Sequence, residues 1–151
     1  AVQARHGRLS IVTLQPAELS PIQRLCHRDR LATGPDQRPL ASVVYLFADE
    51  ALGGTAFYRP RQDGPQTEAL MQQVARSGHA WLDAQLGRGP CYLSSGNAWF
   101  EQLCVVPPRF NRAIFYSGDV FHSSHILAPA RLRRQASQGR LTMNGFFVCD
   151  A

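Results

Sequence analysis

The apolar positions of this chain fall into short runs, each stopped by turn-forming residues. The clearest is LASVVYLF at 40–47, a continuous apolar stretch of strand length that reads as a buried strand. Residues 9–14 read as an earlier strand closed by Gln15-Pro16, and residues 55–58 as a short one after the Gly53-Gly54 turn. Residues 22–30 are compatible with extended chain, and residues 32–39 form a loop around Gly34-Pro35-Asp36. Residues 91–93 and 99–106 are further strand candidates, the second ended by Pro107-Pro108. NRAIFYSGDVFHSSHI at 111–126 reads as a hairpin, with Ser117-Gly118-Asp119 as its turn. Residues 140–148 make a last strand.

Only residues 67–86 carry helical spacing, through Leu70, Val74, Leu82 and Leu86, with Gly87 as the cap. Gly78 is the weak point inside that helix. Many short strands and one substantial helix predict a mainly β sandwich or barrel.

Composition narrows the class. A chain of 151 residues is expected to form a single domain, 1–151, with a real core. It starts at Ala1, which leaves room for natural sequence before it. No apolar run nears the roughly 20 residues of a membrane span, and no secretory signal is visible, so a cytoplasmic protein is expected. The net charge of +5 comes from arginine alone, since the chain has no lysine. That bias reads as compositional, and nucleic acid is not an expected partner. Four scattered cysteines without a CxxC pair suggest reduced thiols rather than a zinc site.

The chemistry begins at His27-Arg28-Asp29. On extended chain, residues i and i+2 share a face, so His27 and Asp29 point one way and Cys26 and Arg28 the other. A second histidine completes a 2-His-1-carboxylate set, which holds one face of an octahedral iron and leaves positions open. Zinc accepts the same ligands. The second histidine is His122 or His125. Their odd spacing puts them on opposite faces, so only one can join the set. On the last strand, Arg140, Thr142 and Asn144 alternate onto one face. Polar side chains turned into a barrel need partners, and a bound carboxylate would supply one.

HRD, then LASVVYLF with its GGTAF turn, then NRAIFYSGDVFHSSH, then GRLT, resembles the Fe(II)- and 2-oxoglutarate-dependent oxygenases. The likeness is to the prolyl-hydroxylase-like branch, nearest a bacterial group with GGTAFYR, FNR, FHSSHI and GRLT-type signatures. It covers residues 27–148 and rests on four motifs in order.

The resemblance implies a double-stranded β-helix, the cupin-like jelly-roll, with Fe(II) at one mouth. By position it implies His27, Asp29 and His122 as iron ligands, since the family's ligand directly follows the turn. Arg140 matches the residue that holds the far carboxylate of 2-oxoglutarate, and Thr142 its helper. Tyr45 matches a strand tyrosine that assists there, and serves equally well as a core residue. The implied reaction is oxidative decarboxylation of 2-oxoglutarate coupled to hydroxylation of a substrate C–H bond. Halogenation is disfavoured because Asp29 supplies a carboxylate ligand.

Two features depart from the family pattern. Arg28 sits between the ligands, and an arginine-rich loop at 128–138 lengthens the gap from His122 to Arg140. Phe57, Tyr58, Arg59, His125 and Asn144 are substrate-side candidates, for a small-molecule, amino-acid or peptide substrate. Two other classes stay open: a cupin-like metalloenzyme that does not use 2-oxoglutarate, and a non-catalytic binding module.

Overall fold

The computed structural model describes residues 1–150. Seven strands form two antiparallel sheets: β1 (Val2–Val12), β2 (Gln37–Tyr45), β3 (Gly54–Pro60), β4 (Phe100–Val106), β5 (Ala113–Ser117), β6 (Phe121–His125) and β7 (Arg140–Asp150). One sheet has the order β1-β7-β2-β5 and the other β4-β3-β6. The fold is therefore mainly β, and the two sheets enclose a cavity lined from both.

Alternation decides what each strand contributes. Arg140 and Thr142 of β7 are buried, whereas Met143, the next residue along, is exposed on the outer face. Ala41, Val43 and Tyr45 of β2 are buried with them. The outer face of the three-stranded sheet packs Ala56, Tyr58 and Phe121 against Val74 and Leu82 of the helices. Burying that apolar layer is the main drive for docking the helices.

The helical segment is two helices rather than one, α1 (Gly64–Arg76) and α2 (His79–Leu86). The chain leaves helical geometry at Ser77, and Gly78 caps the start of α2. Asp63 caps α1 by accepting from the Gln66 amide at 2.9 Å, with Pro65 in the first turn. No helix among the described residues is long and apolar enough to cross a membrane.

Other expectations also change. The stretch 111–126 is not a hairpin: β5 pairs with β2, β6 pairs with β3, and the turn carries the chain from one sheet to the other. Residues 22–30 begin as a 3-10 turn, Pro21–Arg24, and extend only beyond it. Residues 91–93 are irregular, and β1 starts at Val2, well before residue 9. The loop at 128–138 is pinned by buried Leu132 and by Arg131, which pairs with Asp49 at 2.6 Å. None of its residues lines the cavity. All four cysteines are free.

Candidate functional site

His27 lies beside β6 in a single rung of pairing. His27 N–H donates to the His122 carbonyl and His122 N–H to the His27 carbonyl, each at 2.9 Å. Two residues on, Asp29 N–H donates to the Gly118 carbonyl at 2.9 Å. The backbone is thus fixed at both residues, and their side chains share a face. Cys26 falls into the core, and Arg28 reaches Glu68 of α1 at 3.2 Å.

The ligand atoms of His27, Asp29 and His122 all lie within 4.8 Å of one another. His122 Nε2 is 3.5 Å from Asp29 Oδ2, and His27 Nε2 is 4.0 Å from Asp29 Oδ1. His122 Nδ1 donates to the Val120 carbonyl at 2.9 Å, which orients the ring and leaves Nε2 as the free lone pair. Asp29 Oδ2 is buried without a hydrogen-bond partner. An orphaned buried carboxylate oxygen is costly, and a cation is the partner that relieves it. Burial raises the Asp29 carboxyl above its ordinary value, against the pull of His122 and Arg8. Desolvation on its inner side, then the neighbouring His122, lowers His27, although 55% of its side chain is exposed, so its imidazole is neutral and able to ligate at physiological pH. Two imidazole nitrogens and one carboxylate fit a divalent transition metal with open positions.

The cavity beside the trio has a volume of about 190 Å³. That suits a small metabolite, below the roughly 300–1,000 Å³ of drug-sized pockets. Arg140 lies on its β7 wall, only 3% exposed. Its Nε donates to the Gly53 carbonyl at 3.0 Å and its Nη2 to the Gly54 carbonyl at 2.8 Å. Among the described residues it forms no ion pair. Burial pushes its guanidinium down to about 10, so it stays charged at neutral pH. The two glycines make this arrangement possible. Gly53 has a φ of +88°, and a Cβ on Gly54 would sit 2.0 Å from the Val106 carbonyl oxygen. Thr142 lies on the same wall, where its hydroxyl accepts from Asn144 Nδ2 at 3.2 Å.

The other expected site residues divide. Asn144 lines the cavity. Phe57 sits opposite His122 in the β3–β6 pairing, its ring edge-on to Tyr116 at 5.1 Å. Tyr45 is fully buried in the core, with its hydroxyl 2.7 Å from Thr55 Oγ1, and does not line the cavity. Tyr58 faces the helices and donates to the Leu93 carbonyl at 3.3 Å. Arg59 is exposed and pairs with Glu101 at 2.7 Å. His125 points away from His122, and its Nε2 donates to the Ser94 carbonyl at 3.1 Å. Tyr58, Arg59 and His125 are therefore not brought to the cavity, and Phe57, although it sits beside His122, is not part of its lining either.

Among the lining residues absent from the sequence-based set are Tyr116 and Arg8. Tyr116 packs edge-on to His122 at 4.7 Å. Burial, then the nearby Asp29, raises its phenol, which stays protonated. Its signal was available in the alternation of β5. Arg8 lies in a polar stretch that carries no strand pattern.

No curated protein and no solved structure matches this chain. A family described as a family of unknown function, DUF6445, matches residues 1–147, and the chain belongs to that family.

Proposed function

We propose that this chain is an Fe(II)- and 2-oxoglutarate-dependent oxygenase that acts as a hydroxylase. The observation that carries the proposal is one cavity holding two complementary lacks. Asp29 Oδ2 is buried without a partner beside two histidines, and Arg140 is a buried cation without an anion. A divalent metal answers the first and a carboxylate the second.

The strand orders support the finer reading of the fold as a double-stranded β-helix. Four strands face three, and the His27 rung against β6 stands where an eighth strand belongs. In this reading His27, Asp29 and His122 hold Fe(II). Bound Fe(II) with 2-oxoglutarate supplies oxygen activation, giving succinate, carbon dioxide and an oxidised substrate. Arg140 grips the far carboxylate of 2-oxoglutarate. Its two carbonyl bonds use two of the five N–H donors of a guanidinium, and the remainder suffice for a bidentate hold. Thr142 adds a hydroxyl beside it. Phe57 and Tyr116 keep His122 away from water.

A second reading, a cupin-like metalloenzyme without 2-oxoglutarate, is favoured by the two carbonyls that already accept from Arg140. Calorimetric titration of 2-oxoglutarate into Mn(II)-loaded protein separates the two. Saturable binding is expected, weakened at least tenfold by Arg140→Gln and measurably by Thr142→Val. Wild-type protein that takes Mn(II) yet ignores 2-oxoglutarate leaves the second reading.

A further inference from the structure

We infer that Arg8 recognises the substrate, and that the substrate is a small carboxylic acid with an apolar or flat body. The inference rests on the oxygenase reading for the roles of the metal and Arg140. Along the β1–β7 pairing, Val12 faces Arg140, Ser10 faces Thr142, Arg8 faces Asn144 and His6 faces Phe146. Arg8 therefore lines the same cavity as Arg140, four residues further along, about 13 Å by strand rise, and unlike Arg140 it is exposed to solvent. Among the described residues it forms no ion pair. Its guanidinium lies over the Phe146 ring at 5.7 Å, and His6 stacks on that ring at 4.5 Å.

Charge balance makes the same point. A divalent metal and Asp29, a dianionic 2-oxoglutarate and Arg140 together sum to neutrality. Arg8 is then the one uncancelled charge lining the cavity, and it matches a single carboxylate. Phe146, also in the lining, offers an apolar surface next to it. In the groove on the other side of His27 both arginines are already engaged, because Arg28 and Arg30 each pair with Glu68.

The test uses Zn(II)-loaded protein and ligand-observed saturation-transfer NMR, with and without saturating 2-oxoglutarate. The probes are matched acids and amides: benzoate and benzamide, phenylacetate and phenylacetamide, hexanoate and hexanamide, N-acetylphenylalanine and its amide. With 2-oxoglutarate present, the wild type should bind at least one acid tenfold or more tightly than its amide. Arg8→Gln should reduce that preference to twofold or less, Arg8→Lys should keep part of it, and 2-oxoglutarate affinity should stay within twofold in both. A preference that survives Arg8→Gln, or no preference for any acid, overturns the inference. If the wild type does not bind 2-oxoglutarate, the oxygenase reading fails by itself. The acid preference is then read without cosubstrate in Arg140→Gln, where its dependence on Arg8 again decides.

Discussion

His27 and His122 exchange two backbone hydrogen bonds, each 2.9 Å long, so one rung of sheet sets the separation of their imidazoles. The rings meet at 4.5 Å between centroids. Asp29 is fixed in the same way by the Gly118 carbonyl. The trio is held by main chain, and its side chains are free to serve a metal.

Removing a ring should therefore remove a ligand without unpairing the rung. His27→Ala and His122→Ala should each weaken Mn(II) binding by about 100-fold, or about 2.7 kcal/mol. Both should keep the wild-type circular dichroism. Isothermal titration checks this, and wild-type Mn(II) affinity in either variant would place the metal elsewhere.

Asp29 should destabilise the metal-free protein. Its carboxyl is raised by burial, so its contribution to stability is complete below the ordinary carboxylate range and is lost as pH rises through the raised value. Asp29→Asn should then raise the metal-free Tm at pH 7 by about 2–4 °C, the equivalent of about 1 kcal/mol. The gain should vanish below about pH 4. Added Mn(II) should stabilise the wild type and leave the variant unmoved. Thermal melts across pH decide it, and a variant less stable than wild type at pH 7 would contradict it.

Tyr45 divides a core role from a cosubstrate role. Its buried hydroxyl is already bonded to Thr55 at 2.7 Å. Tyr45→Phe should cost about 1 kcal/mol in chemical denaturation and leave 2-oxoglutarate affinity within twofold. A tenfold loss of affinity at unchanged stability would assign Tyr45 to the cosubstrate instead.

Gly54 carries a packing constraint that reaches the site. A methyl there meets the Val106 carbonyl, and the carbonyl of Gly54 itself accepts from Arg140. Gly54→Ala should destabilise by about 2 kcal/mol or more and also weaken 2-oxoglutarate binding. An unchanged midpoint in urea would show that the β3–β4 edge yields freely.

Much of this site was legible because strands alternate. Period two placed His27 with Asp29, separated His122 from His125, and lined up Arg140, Thr142 and Asn144. What stayed hidden depended on distant partners. Ser117-Gly118-Asp119 is turn chemistry whether the chain pairs back or crosses to another sheet. The crossing is set by Gly118, which bonds Pro39 on one side and Asp29 on the other. Gly78 marked a weak point in a helix, but the break comes from Ser77 leaving helical geometry. Residues 2–8 of β1 are exposed on both faces, so no hydrophobic pattern announced the strand that carries Arg8. Tyr58 and Arg59 sit close in sequence to the Gly53-Gly54 turn, yet β3 turns one to the helices and leaves the other exposed on Glu101.

The most direct measurement is the visible spectrum of the protein under anaerobic conditions, with Fe(II) added first and 2-oxoglutarate second. A metal-to-ligand charge-transfer band is the expected result, absent in His122→Ala and weakened in Arg140→Gln. Folded, iron-loaded wild type that develops no band on saturation with 2-oxoglutarate would contradict the assignment of Arg140 to that cosubstrate.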